Sequence, residues 1–341
     1  MAVYATERVD LGRTGLRPTR LGFGAAPIGG LYTAVSETDA RATVERAWEL
    51  GIRMYDVAPL YGYGAAERRL GSVLAERPRD DYVLSTKVGR LVRPIDAIAP
   101  TDDIDRQADG GREDAFYIRT EPVRIVFDYS ADGVRRSIEE SLARLGVDRI
   151  DIALIHDPDE HWAAAIGEAF PALARLRDEG VVRAIGVGMN QSTMLAQFAR
   201  EGDFDVFLVA GRYTLLDQDA LAELLPLCLE RGIAILAGGV MNSGVLADPR
   251  PGSRFNYREA GPAVVERARR LAAVCERHGV PLRAAAVQFV LAHPAVRSIV
   301  AGVRRIDHLD EYPELMRHGI PAELWMDLRA EGLIDPLAPV P

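Results

Sequence analysis

Eight short runs rich in apolar and β-branched residues recur along the 341-residue chain, separated by stretches with helical patterning. They are Thr19–Gly24, Met54–Asp56, Val83–Lys87, Ile150–Ile155, Ala184–Val187, Val206–Ala210, Ala234–Gly238 and Ser298–Ala301. Several are unbroken, such as Ile152-Ala-Leu-Ile155, the pattern of parallel strands covered on both faces. The intervening segments have amphipathic faces and recognisable ends. Ser36 or Thr38 opens a helix with Ala42, Val44, Ala47 and Leu50 on one face and Gly51 beyond it. Ser130 precedes another, with Val134, Ile138, Leu142 and Leu145, closed by Gly146. Gly180, Gly202, Gly232 and Gly279 each fall just past a helix, where a left-handed conformation costs glycine little. An alternation repeated eight times predicts an α/β fold of the TIM-barrel class, a closed (β/α)8 barrel made by a single domain, residues 1–341.

Two segments depart from bare repetition. Residues 7–18 read as an N-terminal β-hairpin turning at Gly12 to Gly15, suited to plugging the bottom of a barrel. Residues 88–129 form a long loop after strand three, with an acidic middle from Asp102 to Asp114 and aromatics towards its end. Loops of that length are functional or disordered, and this one is expected to cover the site. The proline-rich tail Asp335–Pro341 is expected to be loose.

A net charge of −9 argues against nucleic acid or an anionic membrane as a partner. Cys228 and Cys275 sit apart in apolar helical runs and read as reduced core thiols. The N-terminal stretch has no apolar signal-peptide core, and nothing approaches the ~20 apolar residues of a membrane span. The expected compartment is the cytoplasm, and the sequence leaves the oligomeric state open.

Two motifs fail on inspection. Gly22-Phe-Gly24-Ala-Ala-Pro27 follows a strand, but Pro27 replaces the third glycine of a dinucleotide-binding turn and no acidic residue ends the next strand at the required distance. His156, Asp157, Asp159, Glu160 and His161 lie close in sequence. Barrel metal sites, however, draw ligands from several strand ends, so no metal is expected.

One constellation stands. Asp56 ends strand two and Tyr61 follows it; Lys87 ends strand three; His156 ends strand four. All lie at the carboxyl end of the barrel, where such proteins place their chemistry. Charged groups ending apolar strands are desolvated, so Asp56 and Lys87 should pair.

With Leu11-Gly-Arg-Thr-Gly15, Gly22-Phe-Gly-Ala-Ala-Pro-Ile-Gly-Gly30, Tyr55-Asp-Val-Ala-Pro-Leu-Tyr-Gly62, Ser85-Thr-Lys-Val-Gly89, Ser141-Leu-Ala-Arg-Leu-Gly-Val-Asp-Arg-Ile-Asp151 and Asn242-Ser-Gly-Val-Leu246, the chain resembles the aldo-keto reductases over nearly its whole length. Gly24 to Tyr32, Phe127-Asp-Tyr-Ser130 and His156-Asp-Pro-Asp159 resemble the sugar-dehydrogenase branch, which acts on L-fucose, D-threo-aldoses and L-galactose, with the pyridoxal 4-dehydrogenases close by. The resemblance implies a catalytic tetrad of Asp56, Tyr61, Lys87 and His156, with Tyr61 exchanging the proton and Lys87 drawing it towards phenolate. It implies hydride transfer between NAD(P) and C1 of a free aldose, giving the lactone. Pyridoxal or another aldehyde or ketone is the second reading, and a nicotinamide-sensing binding subunit the third.

Gly24, Asn190, Ser243, Gly244, Gly302, Arg304 and Glu311 are the implied cofactor contacts. Tyr61, His156, Phe127 and Tyr129 are the implied substrate contacts, with Phe116 and Tyr117 as further stacking candidates. Two family positions differ. A glutamine late in strand six is Ala210, and the aromatic that stacks on nicotinamide after strand seven is Gly238, with Tyr213 a candidate substitute. The lysine and arginine that grip a 2′-phosphate fall on Gly302 and His308, beside Asp307 and Asp310. NAD is therefore expected to be preferred and NADP to be possible, since Arg304 or Arg305 could still reach a phosphate.

Overall fold

Each expected run forms a strand in the computed structural model, which describes residues 3–106, 116–117 and 121–341. The strands are β1 (Leu21–Gly24), β2 (Met54–Asp56), β3 (Val83–Val88), β4 (Ile152–His156), β5 (Ala184–Met189), β6 (Val206–Ala210), β7 (Ala234–Gly238) and β8 (Val296–Gly302). All neighbours are parallel, and β1 pairs with both β2 and β8, so the sheet closes in the order β1-β8-β7-β6-β5-β4-β3-β2. β1 starts later than the apolar pattern suggests because Thr19 bridges back to Arg8 instead of joining the barrel.

Side chains alternate along a strand, and a closed barrel turns that alternation into an inside and an outside. Met54, Val83, Ile152, Leu154, Ala184, Val206, Leu208, Ala234, Leu236 and Val300 pack together in the interior. Tyr55, Leu84, Ala153 and Ile155 belong instead to the layer beneath the helices. By the same parity Asp56, Ser85, Lys87 and His156 face inward, above Met54, Val83 and Leu154 on their strands.

Residues 7–18 form the expected hairpin turn without a regular ladder. Val9 N–H donates to Pro18 O (3.0 Å) and Leu11 N–H to Leu16 O (2.9 Å). Leu11 and Leu16 enter the interior cluster and fill the barrel floor. The helix caps follow the sequence: Ser36 accepts from Asp39 N–H and Ser130 from Gly133 N–H. Gly202 differs. It is extended (φ −124°), and its missing side chain makes room for Phe204, whose ring would lie 2.3 Å from a Cβ there.

The long segment after β3 is more ordered than a plain loop. Arg90–Pro94, Val123–Phe127 and Asp103–Ile104 form a three-stranded antiparallel sheet with Val123–Phe127 in the middle. Residues 107–114 of the acidic stretch lie outside the described residues. The tail Asp335–Pro341 is anchored at one point, where Ala338 is buried and Arg329 donates to its carbonyl at 2.8 Å, while Leu337 beside it is exposed. Among the described residues, no helix is long and apolar enough to cross a membrane. Leu16→Ala, which empties part of the floor far from the site, should lower the unfolding free energy by about 2–5 kcal/mol. Denaturant titration checks this, with the turnover number expected to stay within twofold.

Candidate active site

The inward-facing polar layer is dry, so its charges must be paired. Lys87 and Asp56 are 1% and 2% exposed. Lys87 Nζ lies 2.7 Å from Asp56 Oδ2 and donates to Val57 O at 3.1 Å, while Ser85 Oγ donates to Asp56 Oδ1 at 3.0 Å. An ammonium has three donors, and these contacts use two. Gly188 on β5 leaves the space that the lysine stem crosses: a Cβ there would sit 3.3 Å from Lys87 Cε.

Tyr61 is set by a close backbone approach. Gly62 is left-handed (φ 62°), and a Cβ on it would lie 2.2 Å from Gly29 O, so only glycine lets the β2 loop press against the β1 loop. The helix after it, Ala65–Leu74, is anchored by buried Glu67, which receives Thr86 Oγ1 (3.0 Å) and Arg144 Nε (2.5 Å). Tyr61 thereby lies with Lys87 Nζ 4.7 Å from its ring centroid, stacked on Tyr117 (5.8 Å) and edge-on to His156 (5.7 Å).

Burial, and after it the Asp56 charge, pushes the Tyr61 phenol well above its ordinary value. A value raised above that of a free phenol keeps Tyr61 protonated near neutral pH, with Arg90 the neighbouring charge that acts in the opposite direction. Burial, then Arg90 and Lys87, pushes His156 well below its ordinary value, leaving a neutral imidazole. Its Nδ1 has no hydrogen-bond partner among the described residues, and its Nε2 lies 3.4 Å from Asp157 Oδ2.

Tyr61, Lys87 and His156 line a cavity of about 1090 Å³, with Asp56 behind Lys87. The sheet after β3 supplies Arg90, Asp103, Ile104 and Phe127 to its wall, and Phe116 and Tyr117 add aromatic surface. Tyr129 does not line it. Its ring lies under Phe127 (6.1 Å) and His161 (5.1 Å), and its hydroxyl donates to His156 O at 2.6 Å, pinning the end of β4. Tyr213 is also elsewhere. It is buried against Phe289 and His293 in the outer layer, so it cannot substitute for the aromatic absent at Gly238.

Three residues to which the sequence assigns no catalytic, cofactor or substrate role face the chemistry. Arg90 and Asp157 line the cavity beside His156. Tyr257 arrives from a hairpin, Arg254–Phe255 with Arg258–Glu259, whose tip residues Asn256 and Tyr257 are both left-handed. An asparagine tip between strand-like residues was the available signal for it.

The implied cofactor contacts are spread out. Asn190 lines the cavity and donates to Ala210 O at 2.9 Å, and its amide suits a carboxamide, having both donor and acceptor. Ser243 (φ 59°) and Gly244 (φ 112°) form a strained turn after β7, outside the cavity, with Ser243 Oγ accepting from Tyr257 N–H at 3.1 Å. Gly24 is buried in the barrel wall between Asp56 and Gly302 and does not line the cavity. Gly302 and Arg304 are exposed, and Arg304 borders a separate cleft of about 420 Å³ with Asp39, Thr43 and Asp307. Glu311 is held by Arg283. Arg305 is clamped to Asp307 (2.6 Å) and Arg46 to Asp310 (2.6 Å), so both acids near the expected phosphate position are already paired.

A closed parallel barrel with a buried lysine–aspartate pair, a tyrosine and a neutral histidine at its carboxyl end defines a barrel oxidoreductase. The Aldo/keto reductase family model matches residues 20–330, and the chain belongs to that family of NAD(P)-dependent oxidoreductases. It is 44% identical to D-threo-aldose 1-dehydrogenase of a Pseudomonas species, over 94% of this chain and 96% of that protein. It is 42% identical to pyridoxal 4-dehydrogenase of Microbacterium luteolum, over 98% and 100%. The holo form of an aldo-keto reductase from Bacillus halodurans has the same fold, with a TM-score of 0.73 at 24% identity over 97% of each chain.

Lys87→Met should leave Asp56 buried without a counter-ion and cost about 3–5 kcal/mol in unfolding free energy, read by denaturant titration. A pH effect follows from Asp157, whose carboxyl is pushed up to about 6, chiefly by burial. A folded-state value above the unfolded one gives stability that is complete below the unfolded value and lost as pH rises through the folded one. Asp157→Asn should therefore gain stability relative to the parent as pH rises from about 4 to about 7, measured as the difference in denaturant midpoints.

Proposed function

We propose that the protein oxidises free aldoses at C1 to the lactone, with Tyr61 taking the proton from the anomeric hydroxyl and returning it in reduction. The observation that carries this reading is the lining of the cavity. Around Tyr61 and His156 stand Arg90, Asp105, Asp157 and Asn190, a density of hydrogen-bonding groups that a polyhydroxylated substrate can satisfy and a plain hydrophobic aldehyde cannot. The 44% identity to a D-threo-aldose 1-dehydrogenase supports it independently. Pyridoxal is the second reading, supported by the nearly equal identity to pyridoxal 4-dehydrogenase.

The nicotinamide cofactor supplies the hydride acceptor or donor when bound. Asn190 would hold its carboxamide, Ser243 and Gly244 its pyrophosphate, and Gly302, Arg304 and Glu311 its adenosine half. His156, neutral at working pH, orients the C1 oxygen by a hydrogen bond. Tyr61 donates as a phenol in reduction. In oxidation Tyr61 first releases its proton to solvent, and the N–H of Lys87 that Asp56 and Val57 leave unused stabilises the phenolate that then accepts the anomeric proton, while Asp56 fixes the ammonium. Phe127, Phe116 and Tyr117 offer faces for a pyranose. NAD is the preferred cofactor, with Arg304 the cation near the phosphate position that makes no ion pair among the described residues. The polypeptide acts on a small molecule in the cytoplasm.

A panel of aldoses, pyridoxal and simple aldehydes, followed at 340 nm with each cofactor, tests the assignment. Aldose oxidation is expected; activity on pyridoxal alone would favour the second reading, and cofactor binding without turnover the sensing subunit. Tyr61→Phe should bind cofactor normally yet lose about 10²–10⁴-fold in kcat. Near-parental kcat would remove Tyr61 from proton transfer. For the cofactor, kcat/KM should favour NAD; an NADP advantage of about tenfold or more, worth ~1.4 kcal/mol, would reverse the order. Its loss in Arg304→Ala would identify the phosphate contact.

A further inference from the structure

Asp157 stands directly beside the chemistry and has no part in the proton transfer described above. It is the first residue past β4, and its backbone is left-handed (φ 39°), a conformation that costs a non-glycine residue energy. Neighbouring bonds hold it there. Asp157 N–H donates to Gly188 O at 3.0 Å, and Tyr129 Oη donates to Asp157 O at 3.1 Å. The fold thus fixes a carboxylate at the edge of the C1 position rather than letting it turn to solvent.

The contacts of that carboxylate are incomplete. Its Oδ2 lies 3.4 Å from His156 Nε2 and 3.3 Å from Arg90 Nη2, both longer than a good charge-assisted bond of ~2.7–2.9 Å. The side chain keeps 28% of its surface open, and it lines the cavity. Arg90 is firmly placed. It is 12% exposed, its Nη1 is 2.9 Å from Asp105 Oδ2, and the Phe127 ring lies 5.1 Å beneath its guanidinium. Its Nε has no hydrogen-bond partner among the described residues. Burial raises the Asp157 carboxyl, as expected of an acid that lacks donors. The pair offers an under-coordinated acceptor next to a fixed donor.

Their distance from His156 selects the ligand atom. His156 holds the C1 oxygen, and Asp157 Oδ2 is offset from His156 Nε2 by 3.4 Å, a spacing comparable to that between neighbouring oxygens of a 1,2-diol. We propose that Asp157 and Arg90 form a hydroxyl-reading pair, the carboxylate accepting from the C2 hydroxyl of the aldose while the guanidinium donates to the same oxygen. Asp157 is then a specificity-determining residue, and the preferred substrates are aldoses that keep the C2 hydroxyl. This rests on the aldose reading of the site.

The test is a cycle between protein and substrate, comparing kcat/KM for an aldose and its 2-deoxy counterpart in the parent and in Asp157→Asn. In the parent the 2-deoxy sugar should be poorer by about 10- to 150-fold, the range for a hydrogen bond to a charged group, mostly through KM. In Asp157→Asn the two sugars should differ by less than about threefold. A residue that merely holds His156 in place would lower both sugars together and preserve their ratio, and that result overturns the proposal. So does a parent that oxidises both equally, a measurement that needs no variant to fold. If the parent oxidises pyridoxal but neither sugar, the aldose assignment has failed and the hydroxyl pair falls with it. If it oxidises sugars but keeps the ratio in the variant, only the hydroxyl pair falls.

Discussion

A lysine at the centre of a barrel is stable only because an aspartate meets it there. Lys87 and Asp56 come from adjacent parallel strands, and Ser85 supplies the remaining contact to the carboxylate. Removing either charge would strand the other in a dry interior, a far larger penalty than losing a surface pair. The rest of the mouth is arranged around this pair. Gly188 clears the lysine stem, the Gly62–Gly29 approach brings Tyr61 to it, and its positive charge helps keep His156 neutral.

Barrel closure explains why so much of this arrangement is legible in the chain. Strand runs and turn glycines are local signals, and β2, β6 and β7 have the boundaries that the apolar pattern indicates. The inward parity of Asp56, Lys87 and His156 follows from counting residues by two from the apolar floor. Other features are pairings between distant segments, which local patterns do not encode. Arg90 meets Asp157 across 67 positions, and Tyr257 meets Asn190 and Phe116 from a hairpin far along the chain. Tyr129 reads as a stacking aromatic, but the hydroxyl that bonds the main chain of His156 makes it a strut.

The two ends of the molecule carry different burdens. At the floor, Leu11 and Leu16 close the interior with apolar contacts, and the buried Asp205 near them is fully paired, with Arg13 and Arg177. At the mouth, buried acids, a raised phenol and a strained Asp157 backbone are held in place at the expense of stability. Such concentration of unfavourable groups at one face is expected where positions are set by chemistry rather than packing. The wall formed by the sheet after β3 belongs to this second region, since Asp105 at its edge holds Arg90.

The pairing of β1 with β8 has a further consequence, for how the polypeptide is made. Arg20 reaches Val296 O across 276 positions, and Leu21 pairs with Ile299, so the seam joins nearly the first and last strands synthesised. Until the last strand leaves the ribosome, β1 has no partner on one side and offers an open row of backbone donors and acceptors. Such unpaired edges recruit other chains, and closure between remote segments is slow. The nascent protein therefore spends most of its translation with an unsealed edge, and the final barrel strand ends its exposure to aggregation.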